Sequence, residues 1–226
     1  MHIEPGVVDG AKIVLSYATA TVAMVFTLRA AVDAVRKHGV AALCTRSLIS
    51  AFLVFCSFEV LFHHPVGVSE VHLILGTTLY LLFGLAPAAI GLAVGLLVQG
   101  LFFAPADLPQ YGMNVTSLLA PLFVMAALAK RIIPEHTAYV DLSYAQTLKL
   151  SLAYQGGIVA WVAFWALYGH GFGAQNMAEI LSFGAAYMLV VVAEPLVDLV
   201  VLAAAKSLRA ANETFVERRV YQGAVR

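Results

Sequence analysis

Apolar residues fall in long runs along the chain: 13–28, 47–62, 71–106, 114–129, 148–168 and 180–205. Most of these runs are close to the length one helix needs to cross a hydrocarbon core of ~30 Å. The third differs. Its 36 residues contain no Asp, Glu, Lys or Arg, and one straight helix of that length would reach ~54 Å. It has to turn back, and Gly84-Leu85-Ala86-Pro87 supplies the break, because Gly and Pro both terminate helices. The pattern therefore predicts a short hairpin of helices over about 71–84 and 87–103. The expectation is an all-α, polytopic membrane protein with seven transmembrane helices. Residues 1–226 form one transmembrane domain, with a polar N-terminus at 1–6 and a basic tail at about 206–226.

The positive residues orient this bundle. With the N-terminus outside, the cytoplasmic segments are 29–46, 84–87, 130–149 and 206–226. They hold every Lys and Arg except Lys12, out of 13 in the chain. An odd number of helices is then required, which agrees with the seven counted once the third run is divided. The expected topology is N-terminus outside and C-terminus cytoplasmic, in the cell (inner) membrane. It gathers 1–6, 62–71, 104–113 and 169–178 on the outer side.

Composition narrows the class. Hydrophobic residues make up 62% and charged residues 12%, about half the charge of a soluble domain, and the net charge is zero. A lipid bilayer is the natural environment, and no nucleic acid partner is indicated. Cys44 and Cys56 form no CxxC pair and read as small apolar residues. The first six residues lack a positive region, and no small-residue cleavage site follows the first run, so no secretory signal is read. Met1 is expected to remain the first residue, since a bulky second residue disfavours its removal.

That expectation gives Met1-His2 a chemistry. A free α-amine, the His2 amide nitrogen and the His2 imidazole can close adjoining chelate rings on one ion. Such a nitrogen set favours late first-row metals such as nickel(II) or copper(II). A fourth nitrogen is needed, and His72, expected at the outer end of the third helix, is the best candidate. His63-His64-Pro65 lies on the same side and reads as an outer filter that concentrates metal or as an exposed loop. Asn114 opens the fifth run, either to orient a ligand imidazole or as a helix cap. Glu194 lies within the last apolar run, with Asp198 one turn on. An intramembrane carboxylate must face protein or water, so Glu194 pairs with a partner subunit, bonds internally or relays charge. Gly91 and Gly95 are spaced for close helix packing, and Trp161 and Trp165 read as packing or interfacial aromatics. No G-x-x-x-x-G-K-[ST] loop is present, so uphill transport needs ATP hydrolysis by another chain.

The sequence resembles the substrate-binding membrane subunit (S component) of cobalt/nickel energy-coupling-factor (ECF) ABC transporters. The resemblance is carried by Met1-His2-Ile3 with Gly6, and by Ser69-Glu70-Val71-His72-Leu73. It continues through the chargeless hairpin with Gly84 and Pro87, Gly112-Met113-Asn114 with Pro121, and Glu194. It spans Met1 to about Ala205. It implies a seven-helix permease subunit, not an enzyme, that captures nickel or cobalt as transported substrate and has no cofactor. It implies metal held by the Met1 amine, the His2 amide and imidazole, and His72. It also implies partners: a coupling transmembrane subunit, two ABC ATPases and often a small accessory membrane subunit. A competing reading is a membrane haem-b or redox subunit using His63, His64, His72 or His170 as ligands.

Overall fold

The computed structural model describes residues 3, 5–61, 63–207 and 215–223. They form six helices and one two-stranded sheet. In chain order these are α1 (Val14–Glu59), β1 (His63–Val66), β2 (Ser69–His72), α2 (Gly76–Phe83), α3 (Leu85–Phe102), α4 (Tyr111–Ile132), α5 (Tyr144–His170) and α6 (Ala174–Ser207). Five helical segments are long and apolar enough to cross a membrane. α2, with eight residues, rises only ~12 Å and is not among them.

α1 joins the first two apolar runs in 46 residues, about 69 Å if straight and more than twice the hydrocarbon thickness. Gly39 interrupts it at φ 82°, ψ 166°, a conformation open to glycine and strained for other residues. The expected break in the third run is present as well. α2 ends at Phe83, Gly84 adopts φ 87° between the helices, and α3 begins at Leu85. Pro87 falls in the first turn of α3, where its missing N–H leaves no bond unmade. α3 lies closely along α1. A Cβ on Gly91 would fall 2.1 Å from Ser50 Oγ, and one on Gly95 would fall 2.6 Å from Val54 Cγ1. The Gly91–Gly95 pair is thus the contact that lets the two backbones approach. Trp165 is fully buried, and the indole of Trp161 donates to Thr116 Oγ1 at 3.2 Å.

The fold departs from an all-helical chain at one place. The third helix, expected from Val71, does not start there: 63–72 form an antiparallel hairpin, with His63 opposite His72 and Val66 opposite Ser69. The physical reason is local. Pro65 removes a helical donor, and Val66, Val68 and Val71 favour extended backbone. Gly67 at φ 59° begins the two-residue turn. Gly67 also lies against α6, since a Cβ there would meet the Glu179 carbonyl oxygen at 2.1 Å.

Candidate metal centre

The outer end of the fold is assembled around the hairpin. His72 ends β2 and is 1% exposed. Its ring meets Phe58, near the end of α1, edge to face at 5.0 Å. On another side it stacks on His63 at 5.2 Å, as their opposed positions in the hairpin require. Residues two apart on a strand share a face, and this brings Glu70 Oε2 to 3.5 Å from His72 Nε2. A carboxylate beside an imidazole orients the ring and raises its basicity, the usual support for a metal-ligating histidine. Sequence reasoning did not single out Glu70 for this place beside His72. Its signal was the spacing Glu70-x-His72, which has meaning on a strand and not on a helix.

Asn114 acts on the N-terminal segment. It is the fourth residue of α4 and therefore not its cap. It is 1% exposed, and its Oδ1 accepts a hydrogen bond from the Ile3 amide at 2.9 Å. Ile3 is itself buried and forms a β-bridge with Ser69, the first residue of β2. The start of the chain is thus held against β2 from one side and α4 from the other. Met1 and His2 lie outside the described residues. Further along, His170 Nε2 lies 3.3 Å from the Gly6 carbonyl. Lys12 Nζ donates to the carbonyls of Tyr168 and Gly169 at 3.0 and 2.9 Å. Lys12 therefore caps the C-terminal end of α5, where positive charge is favoured.

The remaining sequence candidates separate. His63 joins the site through its stack on His72. His64, opposite Val71, occupies the alternate face of β1 and is exposed. Glu194 does not join the outer group. It is buried and accepts from Thr77 N at 3.1 Å, Ser151 Oγ at 2.6 Å and Gln155 Nε2 at 3.0 Å, which is the internal-bond reading of this residue. Among the described residues, no three His, Cys, Asp or Glu side chains converge as a metal cluster.

Residues 2–211 match the family model CbiM, the cobalt uptake substrate-specific transmembrane region. The chain belongs to this family. It is therefore a transmembrane component of cobalt uptake and not an enzyme. Two crystal structures share the fold of this CbiM-family chain. One, of a transition metal transporter, has a TM-score of 0.64 at 20% identity, covering 94% of this chain and 95% of that one. The other, of a truncated transition metal transporter, has a TM-score of 0.67 at 19% identity, covering 92% and 99%. No curated protein matches the chain. Within the CbiM family frame, the burial of His72 and the anchoring of Ile3 become the central local features. Neither was accessible to periodicity, because both arise from contacts between distant segments.

Proposed function

We propose that this CbiM-family chain is the substrate-capturing subunit of an ATP-driven importer for cobalt or nickel. It takes the ion as cargo with the Met1 amine, the His2 amide and imidazole, and His72. The observation that carries the reading is the double anchoring of Ile3, by Asn114 and by Ser69. Two residues of chain reach at most about 7 Å beyond that anchor. They start three residues along the strand from a buried, carboxylate-supported imidazole. The amine and amide nitrogens of a short N-terminal arm suit cobalt and nickel alike.

The remaining parts of the proposal follow from charge and length. α1, divided at Gly39, passes twice, and the hairpin with α2 completes one further pass. Seven passes in one domain then carry an outer N-terminus to a cytoplasmic C-terminus in the inner membrane. The chain lacks a phosphate-binding loop, so a coupling membrane subunit and ABC ATPases supply the energy, with a small accessory membrane subunit as a further partner. The haem alternative draws no support from this geometry. The rings of His63 and His72 stack face to face, which leaves no room for a porphyrin between them.

The test is covalent. One residue added before Met1 converts the amine to an amide and displaces the chelate. Purified protein with the native N-terminus is expected to bind cobalt or nickel tightly, and the extended form to lose that binding. Tight binding by the extended form would refute the chelate.

A further inference from the structure

Five residues beyond His72 the chain enters a second polar centre, built from α2, α5 and α6. Glu194 and Asp198 stand four residues apart on one face of α6, both fully buried. Thr77 N and Thr78 Oγ1, from the first turn of α2, donate to Glu194 and Asp198 respectively. Gln155 bridges: its Nε2 donates both to Glu194 Oε2 and to the carbonyl of Ile74, two residues past His72. No Lys, Arg or His among the described residues forms an ion pair with either carboxylate.

The same centre holds buried oxygen atoms with no partner. Asp198 Oδ2 and Gln155 Oε1 accept nothing, although the latter sits on the amide whose nitrogen already touches Glu194. The Thr77 hydroxyl lies against the Glu194 carboxylate. The hydroxyls of Tyr154 and Tyr187, both fully buried, lie within electrostatic range of Glu194 and are likewise unmatched. Buried polar atoms are nearly always satisfied, and two buried carboxylates without a counter-charge are costlier still. These unmatched atoms are all oxygens, on the two acids' own centre or on residues that neighbour it. A positive ion between the two acids would offset their charge and give unmatched oxygens there a partner.

We propose that this cluster is a second cation site, which takes a divalent cation through oxygens of Glu194, Asp198, Gln155 and Thr77. Carboxylate, amide and hydroxyl oxygens suit hard cations such as manganese(II) or magnesium, and they also accept cobalt(II). The donors from Ser151, Gln155 and Thr77 N hold Glu194 in place for the ion, as outer hydrogen bonds do in metal sites. The site stands at most about 17 Å of extended chain from His72, and the Ile74 carbonyl connects the two centres through Gln155.

The test uses the full chain in lipid nanodiscs with its native N-terminus, beside a His2→Ala form in which the outer chelate is disabled. Each is dialysed to equilibrium against manganese(II) or cobalt(II), and bound metal is measured by elemental analysis. The expected result is one ion per chain retained by His2→Ala. Asp198→Asn, whose amide oxygen still accepts from Thr78, weakens that ion by at least about tenfold. The Glu194→Gln/Asp198→Asn pair removes it. Should the double variant fail to fold, Asp198→Asn decides the matter. A folded His2→Ala protein that binds neither ion overturns the proposal, as does unchanged affinity in folded Asp198→Asn. Excess magnesium separates two sources: displacement marks a resident cation, and retention of cobalt marks a station for the cargo. Loss of tight cobalt binding in His2→Ala reports on the N-terminal chelate alone, so the two sites fail or stand separately.

Discussion

At the scale of single residues, the outer site depends on atoms that bind no metal. Asn114 holds the Ile3 amide; Asn114→Leu leaves that buried N–H unpaired, which costs about 1–3 kcal/mol. Cobalt affinity, measured by competition with a chelator, is expected to fall by about 10–100-fold while the helical content of the protein stays unchanged. Glu70→Gln tests the support of His72 in the same way, with a smaller loss because the amide oxygen can still accept. His72→Ala removes a donor outright and is expected to weaken binding more than either. Acid acts in the same direction. A free α-amine titrates at about 7.7–8.0, and its proton competes with the metal. The protonated form gains as pH falls, so affinity is expected to decline as pH drops through about 8 to 6. Constant affinity across that range would argue against an amine ligand.

At the scale of elements, glycines set how closely neighbours approach. Gly67 combines a positive φ with an approach of 2.1 Å to the Glu179 carbonyl oxygen by any added Cβ. Gly67→Ala is expected to push the hairpin off α6, lowering stability by about 1–3 kcal/mol. It should weaken metal binding too, because β2 carries both Glu70 and His72. Thermal unfolding and cobalt titration of the same sample check both. Gly91 has the equivalent role between α3 and α1. Gly91→Leu is expected to separate the two helices and reduce the yield of folded protein, far from the metal. The short length of α2 belongs to this scale as well. Its first turn is met by the buried Glu194, which accepts from Thr77 N.

At the scale of the whole molecule, two distant segments are anchored at opposite ends of the bundle. Ile3 is held at the hairpin, whereas 215–223 return to the opposite, basic end. There Glu217 accepts from Arg46 Nη1 at 2.9 Å, and its backbone N–H donates to the Leu82 carbonyl. Arg46 is 2% exposed, so Glu217→Ala removes the counter-charge of a buried guanidinium. A loss of about 1–3 kcal/mol is expected for this half-open pair, seen as a lower unfolding temperature with cobalt affinity unchanged. Orientation is tested at this scale too. In a chain with Cys44 and Cys56 replaced by alanine, Phe172→Cys should react with a membrane-impermeant maleimide on intact cells. Gln222→Cys should react only after permeabilisation. The opposite pattern would reverse the proposed topology.

Much of the fold was legible in the sequence because lipid imposes simple rules. Spans need long apolar runs, chargeless stretches longer than the bilayer must break, and Gly84 with Pro87 shows where. Lys12, the one cation the positive-residue pattern left apart, has a role that only the packed structure reveals: it caps α5. The chemistry at Met1 and His2 was likewise open to inspection, since it depends on covalent neighbours. His72 was expected at the outer end of a helix, whereas it ends a strand and is buried. Apolar runs do not separate strand from helix over four residues, and the pairing partner of β2 lies across a turn. The anchoring of Ile3 by Asn114, 111 residues apart in sequence, has no periodic signal at all. So the sequence by itself determined the membrane class, the break points and the chemical nature of the N-terminal arm. The tertiary structure decided where Ile3 is held, which carboxylate lies beside His72, and that Glu194 and Asp198 share one buried centre. Those outcomes depend on which distant backbone and side-chain groups are brought within hydrogen-bond distance, and only the packed chain sets that distance.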